Sequence, residues 1–383
     1  MKDTPSITIV LRITLKAIAL FVVVNGIYIA LNPLPALSQV SIHNTLIPGR
    51  LRVQSAAGDD VGYGRATTNI DLMLAAHEIT HATKSDDEFR VLIMGDSSAW
   101  GYLLKDTETI SENINRERLI TAGGQRVRVF NLAMPGMYAA KDLLLMQRVN
   151  KFKPDLVVWF VNLENFRRVA QKENFFICAN MAQLRPILER YNVGDLDCPF
   201  EPSTSLLRQS LVGQRRDLAG LMFSQIDGVL WSATGVDHNV KKRHYLYRML
   251  NGDTDWMGLP GPTLHEDALI LNALDAAKGL VEAPILVVNE PILTLNGINT
   301  SQRYNKYFPH WAYDQGTAMI EARANKLGMR FANLWNAVPA EQFTDTEVHY
   351  TAAAARHVAD LVGLEILKSD TAETSRVNLK HGN

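Results

Sequence analysis

The chain has 383 residues, 47% of them hydrophobic, enough to bury one large core or two modest ones. Its 39 Lys and Arg stand against 40 Asp and Glu, a formal net charge of −1. That balance argues against nucleic acid as a partner, because no domain carries a basic excess. The one basic cluster, Lys241-Lys242-Arg243-His244 followed by Tyr245 and Tyr247, reads as a solvated helix face.

The amino-terminal stretch Ile13–Leu31 reads ITLKAIALFVVVNGIYIAL, apolar apart from Lys16, Asn25 and the hydroxyls of Thr14 and Tyr28. About 20 apolar residues are needed to cross a bilayer, and Lys16 can snorkel to the interface. Lys2, Arg12 and Lys16 precede or open the stretch, so the positive-inside rule keeps the short amino end cytoplasmic and delivers the bulk of the protein outside. An uncleaved anchor is the preferred reading. A cleaved signal peptide is the rival, since Ala36-Leu37-Ser38 offers small residues at the required spacing. Residues 32–67, punctuated by Asn32-Pro33-Leu34-Pro35 and Pro48-Gly49-Arg50, read as a linker.

After a helical run expected over Asp71–Thr83, five apolar runs alternate with helical patterns: FRVLIM (Phe89–Met94), VRVFNL (Val127–Leu132), DLVVWFV (Asp155–Val161), PILVVN (Pro284–Asn289) and MRFANLW (Met329–Trp335). Runs rich in Val, Ile and Leu, without polar alternation, are what strands covered on both faces require, so a parallel α/β sheet is predicted. More than a hundred residues separate the third run from the fourth. The segment from about 167 to 282, with a helical pattern over Leu206–Met222, is therefore expected to be an inserted lid or subdomain. Cys178 and Cys198 fall inside it and are either a disulfide, which an extracytoplasmic address permits, or two free thiols. Residues 68–368 form the expected α/β domain and 369–383 a polar, flexible tail.

Two motifs compete within one short span. His77-Glu78-Ile79-Thr80-His81 matches the H-E-x-x-H pattern, which puts two histidines one helical turn apart to bind zinc. A third ligand is missing: positions 84 and 87, where one common extension wants Gly and His, hold Lys84 and Asp87, and the chain then turns straight into FRVLIM. His77 and His81 are therefore read as ordinary residues on one helix face, with no metal and no cofactor expected. Gly95-Asp96-Ser97-Ser98-Ala99-Trp100-Gly101 matches G-D-S-x-x-x-G directly after a buried strand. Open α/β sheets place their sites at that strand end, and a following helix aims its first N–H groups where an oxyanion would form.

On these residues the chain resembles the SGNH/GDSL hydrolase superfamily. Asn131-Leu132-Ala133-Met134-Pro135-Gly136 after the second run and Phe343-Thr344-Asp345-Thr346-Glu347-Val348-His349-Tyr350 near the end are similar to further blocks of that family. The resemblance covers roughly 89–165 and 284–367, not the insertion. It implies a flavodoxin-like three-layer fold with a five-stranded parallel sheet, Ser97 as nucleophile, His349 as base, and the Ser97 and Gly136 N–H groups as oxyanion donors. Two departures stand out. Glu164 occupies the family's usual Asn position in Asn162-Leu163-Glu164-Asn165, leaving Asn162 or Asn165 as side-chain donor. Thr346 stands where the Asp of D-x-x-H belongs, so Asp345 or Glu347 must serve as the acid, and Asp345 is preferred as the more rigidly held. The implied activity is a membrane-anchored serine esterase acting on an ester- or acyl-bearing substrate. The alternatives are an O-acyltransferase similar to those that modify exopolysaccharides, with carbohydrate as acceptor and a membrane acyl-donor partner, or a catalytically weakened scaffold or carbohydrate-binding module.

Overall fold

The computed structural model describes residues 7–47, 49–54, 67–199, 205–234 and 249–381; the basic cluster at 241–247 lies outside the described residues. In chain order the principal elements are α1 (Ile7–Leu31), β1 (Glu88–Met94), α2 (Ser97–Trp100), α3 (Ile110–Glu117), β2 (Arg126–Asn131) and α4 (Ala139–Met146). They continue with β3 (Leu156–Val161), α5 (Arg215–Thr234), α6 (Ala273–Leu280), β4 (Ile285–Asn289), α7 (His310–Lys326), β5 (Arg330–Asn333) and α8 (Ala352–His381).

The five strands pair in parallel in the order β2-β1-β3-β4-β5, the doubly wound order of flavodoxin-like sheets. Each expected run becomes a strand, with bounds shifted by at most two residues. Alternate residues of the central strands feed two cores, because successive side chains point to opposite faces. Leu92, Trp159 and Val287 pack with Leu143 of α4, Ala277 of α6 and Ile320 of α7. Val91, Val158 and Val288 face the other way, onto Ile114 of α3 and Val358 of α8. The result is a three-layer α/β sandwich with the insertion between β3 and β4.

Several expectations change. The helix expected over Asp71–Thr83 stops at Ala75, and a separate 3₁₀ turn covers Glu78–Thr80. His77 separates them in an extended conformation, with its Nδ1 accepting the Ile79 N–H. Part of the expected linker is structural: the Val53 side chain is fully buried, Arg50 N donates to Ala76 O, and the Arg52 guanidinium is buried near Trp100. The helix expected over Leu206–Met222 splits into Leu206–Gln209 and α5. Gly213 marks the break, where an added Cβ would lie 2.1 Å from the Leu207 carbonyl oxygen. Helix α8 continues to His381 through the expected tail, in a stretch from Leu364 that holds no Gly or Pro. Cys178 and Cys198 are joined in a disulfide, with a Cα–Cα distance of 5.5 Å.

Helix α1 is long and apolar enough to cross a membrane: 25 residues span about 37 Å at 1.5 Å each, against a hydrocarbon core of about 30 Å.

Candidate active site

The site forms at the carboxyl ends of the strands. After β1 the chain turns at Gly95, whose φ of +144° and close approach exclude any side chain: an added Cβ would lie 2.8 Å from Phe160 Cβ and 2.9 Å from its carbonyl oxygen. Asp96 then caps α2, its Oδ1 accepting the Ser98 N–H at 2.8 Å. Ser97 is thereby the first residue of α2, half-buried, with an N–H that has no acceptor one turn back. Gly101, at φ +90°, ends the turn. Arg52 clamps it from outside, donating through Nη1 to Gly101 O at 2.9 Å and Leu104 O at 3.2 Å and pairing through Nη2 with Asp106 at 2.6 Å.

The loop before α8 brings His349 to this serine. His349 Nε2 lies 2.7 Å from Ser97 Oγ, and its Nδ1 lies 2.9 Å from Asp345 Oδ1. The loop is a narrow hairpin in which Phe343 bridges Tyr350 and Thr344 N donates to His349 O at 2.8 Å. Thr346 Oγ1 accepts the His349 N–H at 3.2 Å, and Thr344 Oγ1 donates to Asp345 at 3.2 Å. The four-residue offset from Asp345 to His349 is absorbed by this tightening. Burial raises the Asp345 carboxyl, but the His349 and Thr344 hydrogen bonds outweigh it and leave the pKa below the usual value. Glu347 does not share the imidazole: the segment bends rather than extends, and its carboxylate faces Lys306 Nζ at 3.4 Å.

The loops after β2 and β3 complete the rim. Gly136 has a φ of +106°, and an added Cβ would lie 2.9 Å from the Tyr138 ring. Asn162 Nδ2 is already engaged, donating to a Glu290 carboxyl oxygen and to Met137 Sδ at 3.3 Å. Asn165 accepts the Asn162 N–H at 2.8 Å, while its buried Nδ2 has no protein acceptor among the described residues. Of the two asparagines singled out in the sequence, only Asn165 retains donor capacity. Glu164 is turned aside, its Oε1 2.5 Å from Arg167 Nε.

Three contributors escaped sequence reasoning. Tyr102 stacks on the His349 ring, with centroids 4.4 Å apart and planes at 29°. Lys141, almost fully buried, donates to Gly95 O at 2.7 Å and Met134 O at 2.5 Å, tying the loop that carries Ser97 to the loop that carries Gly136. Its neighbour Asp142 lies 3.0 Å away, and burial pushes that carboxyl up to about 6 against the pull of Lys141 and Trp159. Glu290, directly after β4 and fully buried, accepts hydrogen bonds from Ser98 Oγ and Asn162 Nδ2. Burial first, then the adjacent Asp96 carboxylate, raises the Glu290 pKa well above the carboxylate range. A protonated Glu290 supplies the donor that the buried Asp96 Oδ2 otherwise lacks. The signal for Glu290, an acid at a strand's carboxyl end, was legible in Asn289-Glu290-Pro291; Lys141 carried none.

The other motif is used differently. His77 is fully buried, and with Nδ1 accepting the Ile79 N–H, the hydrogen-bond network assigns the proton to Nε2, which donates to Asn131 O at 3.0 Å. Burial pushes its pKa down to about 4, so the ring is neutral at pH 7. Both ring nitrogens are committed to backbone, which leaves no lone pair for a metal, and His81 is exposed and not on a shared helix face.

No family model matches the chain, and no curated protein matches it. Among solved structures, it is similar to a carbohydrate acetylesterase family member from Sinorhizobium meliloti at 12% identity and a TM-score of 0.32, covering 72% of this chain and 96% of that one. It is also similar to the lipase/acylhydrolase from Enterococcus faecalis, at 13% identity and a TM-score of 0.35 over 73% and 96% of the two chains. A third is the native aryl esterase of M. smegmatis, at 13% identity and a TM-score of 0.32 over 72% and 97%. Likenesses this distant add nothing to the sheet order and hydrogen bonds described above.

Proposed function

We propose that the chain is a membrane-anchored, extracytoplasmic serine ester hydrolase of the SGNH/GDSL type, working through an acyl-serine intermediate. The observation that carries this reading is the unbroken hydrogen-bonded series Ser97 Oγ–His349 Nε2 and His349 Nδ1–Asp345 Oδ1. In this mechanism His349 takes the Ser97 proton as Oγ attacks the ester carbonyl, and then returns it to the departing alkoxide. Asp345 fixes the imidazole tautomer and stabilises the imidazolium. The Ser97 and Gly136 N–H groups and the Asn165 amide are the donors for the oxyanion. Attack by water then releases the acid and frees Ser97; a sugar hydroxyl in place of water would make the same site an O-acyltransferase.

The Glu164 departure, which favoured a weakened scaffold, loses its force because that carboxylate is paired with Arg167 rather than aimed at the serine. The anchored reading is supported by contacts that a cleaved signal would lose: Tyr28 OH donates to Gln214 Oε1 at 2.8 Å. The Cys178–Cys198 bridge fits an oxidising compartment. The test is labelling of the full chain with a serine-reactive fluorophosphonate. Ser97→Ala should lose labelling and ester turnover, whereas Ser98→Ala should retain labelling. Labelling that survives Ser97→Ala would overturn the assignment.

A further inference from the structure

Helix α5 is buried on one side and apolar on the other. Leu221 and Ser224 are buried, and Gly228 meets the segment below it so closely that an added Cβ would lie 2.2 Å from His43 Nδ1. Met222, Ile226 and Val229 form an i, i+4, i+7 stripe and are 57%, 48% and 47% exposed. Just before it, Leu206 and Leu207 are 69% and 73% exposed. A soluble surface scatters such side chains singly; here Met222, Ile226 and Val229 adjoin one another on one helix face.

Their position relative to α1 identifies what covers them. Besides the Tyr28–Gln214 bond, Val212 N lies 3.5 Å from Asn25 Oδ1, so the polar atom within the apolar helix faces the start of this segment. Asn25 is six residues before the end of α1, about 9 Å along the axis. Gln225 holds α5 to the chain leaving α1, accepting from Ile42 N at 2.7 Å and donating to Val40 O at 3.0 Å. The segment that carries the stripe is thus held against the last two turns of α1 and against the chain that leaves it, and Tyr28 is of the residue type that marks a membrane interface. Arg215 and Arg216, both exposed, open α5 with charge suited to lipid phosphates.

We propose that the Leu206–Leu207 turn and the Met222–Ile226–Val229 stripe of α5 are a lipid-contacting surface that seats the domain on the outer leaflet of the bilayer. This rests on the anchored reading above. An interfacial helix buries its apolar face roughly 5–10 Å into the boundary between headgroups and acyl chains. A single spanning helix leaves a domain free to rotate about it; the added surface removes that freedom and holds the site at one height above the membrane.

The test uses the full chain in phosphatidylcholine–phosphatidylglycerol vesicles, with an environment-sensitive fluorophore on one introduced cysteine at a time. Cys178 and Cys198 are bonded and do not compete for label. Ile226→Cys reports the stripe, Val22→Cys the anchor and Lys278→Cys an exposed site on α6; circular dichroism checks that each variant is folded. The expected result is emission at 226 shifted to the blue and quenched by a shallow spin-labelled lipid roughly twofold or more beyond that at 278, with 22 quenched also. Quenching at 22 with 226 behaving like 278 overturns the proposal and leaves the anchor standing. No quenching at 22 removes the anchored reading and the proposal together. A blue shift at 226 without lipid quenching reports a protein covering the stripe, and overturns it as well.

Discussion

Replacing Glu290 by Gln should change the pH dependence of stability more than the stability itself at any one pH. The Glu290 pKa is raised in the folded protein, because burial and the neighbouring Asp96 carboxylate both oppose ionisation. The sign follows from linkage. Below about pH 4, the unfolded-state value for Glu, both states hold the proton and its contribution to stability is complete. As the pH rises further, the unfolded chain ionises while the folded protein keeps its proton, so stability is lost by about 1.4 kcal/mol per pH unit until the folded group titrates. Over the range in which the folded group keeps its proton, each pH unit amounts to roughly 3–5 °C in Tm at about 2–4 °C per kcal/mol, nearer the lower figure for a domain this large. Gln cannot ionise and can still donate to Asp96, so Glu290→Gln removes this slope. It gives up an acceptor oxygen facing Ser98 or Asn162, worth about 1 kcal/mol at all pH values. Thermal unfolding of both proteins at pH 4, 5, 6 and 7 should therefore show the variant below wild type at pH 4 and gaining on it as the pH rises. Parallel curves would refute the argument, since they would mean that Glu290 is ionised in the folded state.

The remaining expectations concern the site, the unused motif and the topology. Asp345→Asn should lower ester turnover by up to about ten-thousandfold with little change in substrate binding, because the acid orients His349 rather than touching substrate. Glu347→Gln should cost little; steady-state kinetics of the two variants decide, and the reverse order would transfer the acid's role to Glu347. Chelators should leave turnover unchanged, and His77→Ala should lower Tm without releasing metal, because the ring bridges backbone groups; elemental analysis showing one zinc per chain, lost in the variant, would contradict this. A phosphatase fused after Asn383 should be active, since its disulfides form only outside the cytoplasm, and an inactive fusion would reverse the topology.

The sheet was legible because its signal is local. A strand covered on both faces needs an unbroken apolar run, and each of the five runs supplied one to within two residues. The Gly95–Gly101 turn was legible for the same reason, since the Asp96 cap, Ser97 and the left-handed exit at Gly101 are adjacent in the chain. Helical spacing misled at His77: its ring bonds Asn131 O, 54 residues away, and this contact holds the backbone out of the helix. Asp345 and Glu347 could not be separated by offset alone, because either reached His349 in an idealised geometry. The hairpin bonds from Thr344 and Thr346 bend the loop and decide which carboxylate faces the ring.

Those distant contacts share one physical task. Four loops must hold still for Ser97 to keep its place: those after β1, β2, β3 and β4. Each has a backbone that leaves polar atoms buried where no strand can pair them. Lys141 answers two of the carbonyls, at Gly95 and Met134, and Glu290 answers Ser98 and Asn162 while sharing its proton with Asp96. Ionised alone, either group would be costly at that depth. Lys141 has Asp142 at 3.0 Å, and burial beside Asp96 favours the neutral form of Glu290, so neither is left as an isolated charge. The His349 loop is fixed by its own hairpin and by the Tyr102 ring, and it meets this network where Leu293 N donates to Glu347 O at 2.7 Å and where Tyr350 lies beside Ser98 and Glu290. Loosening the buried network should therefore displace Ser97 together with the loops that carry Gly136 and Asn162, and through Tyr350 it should reach His349 as well.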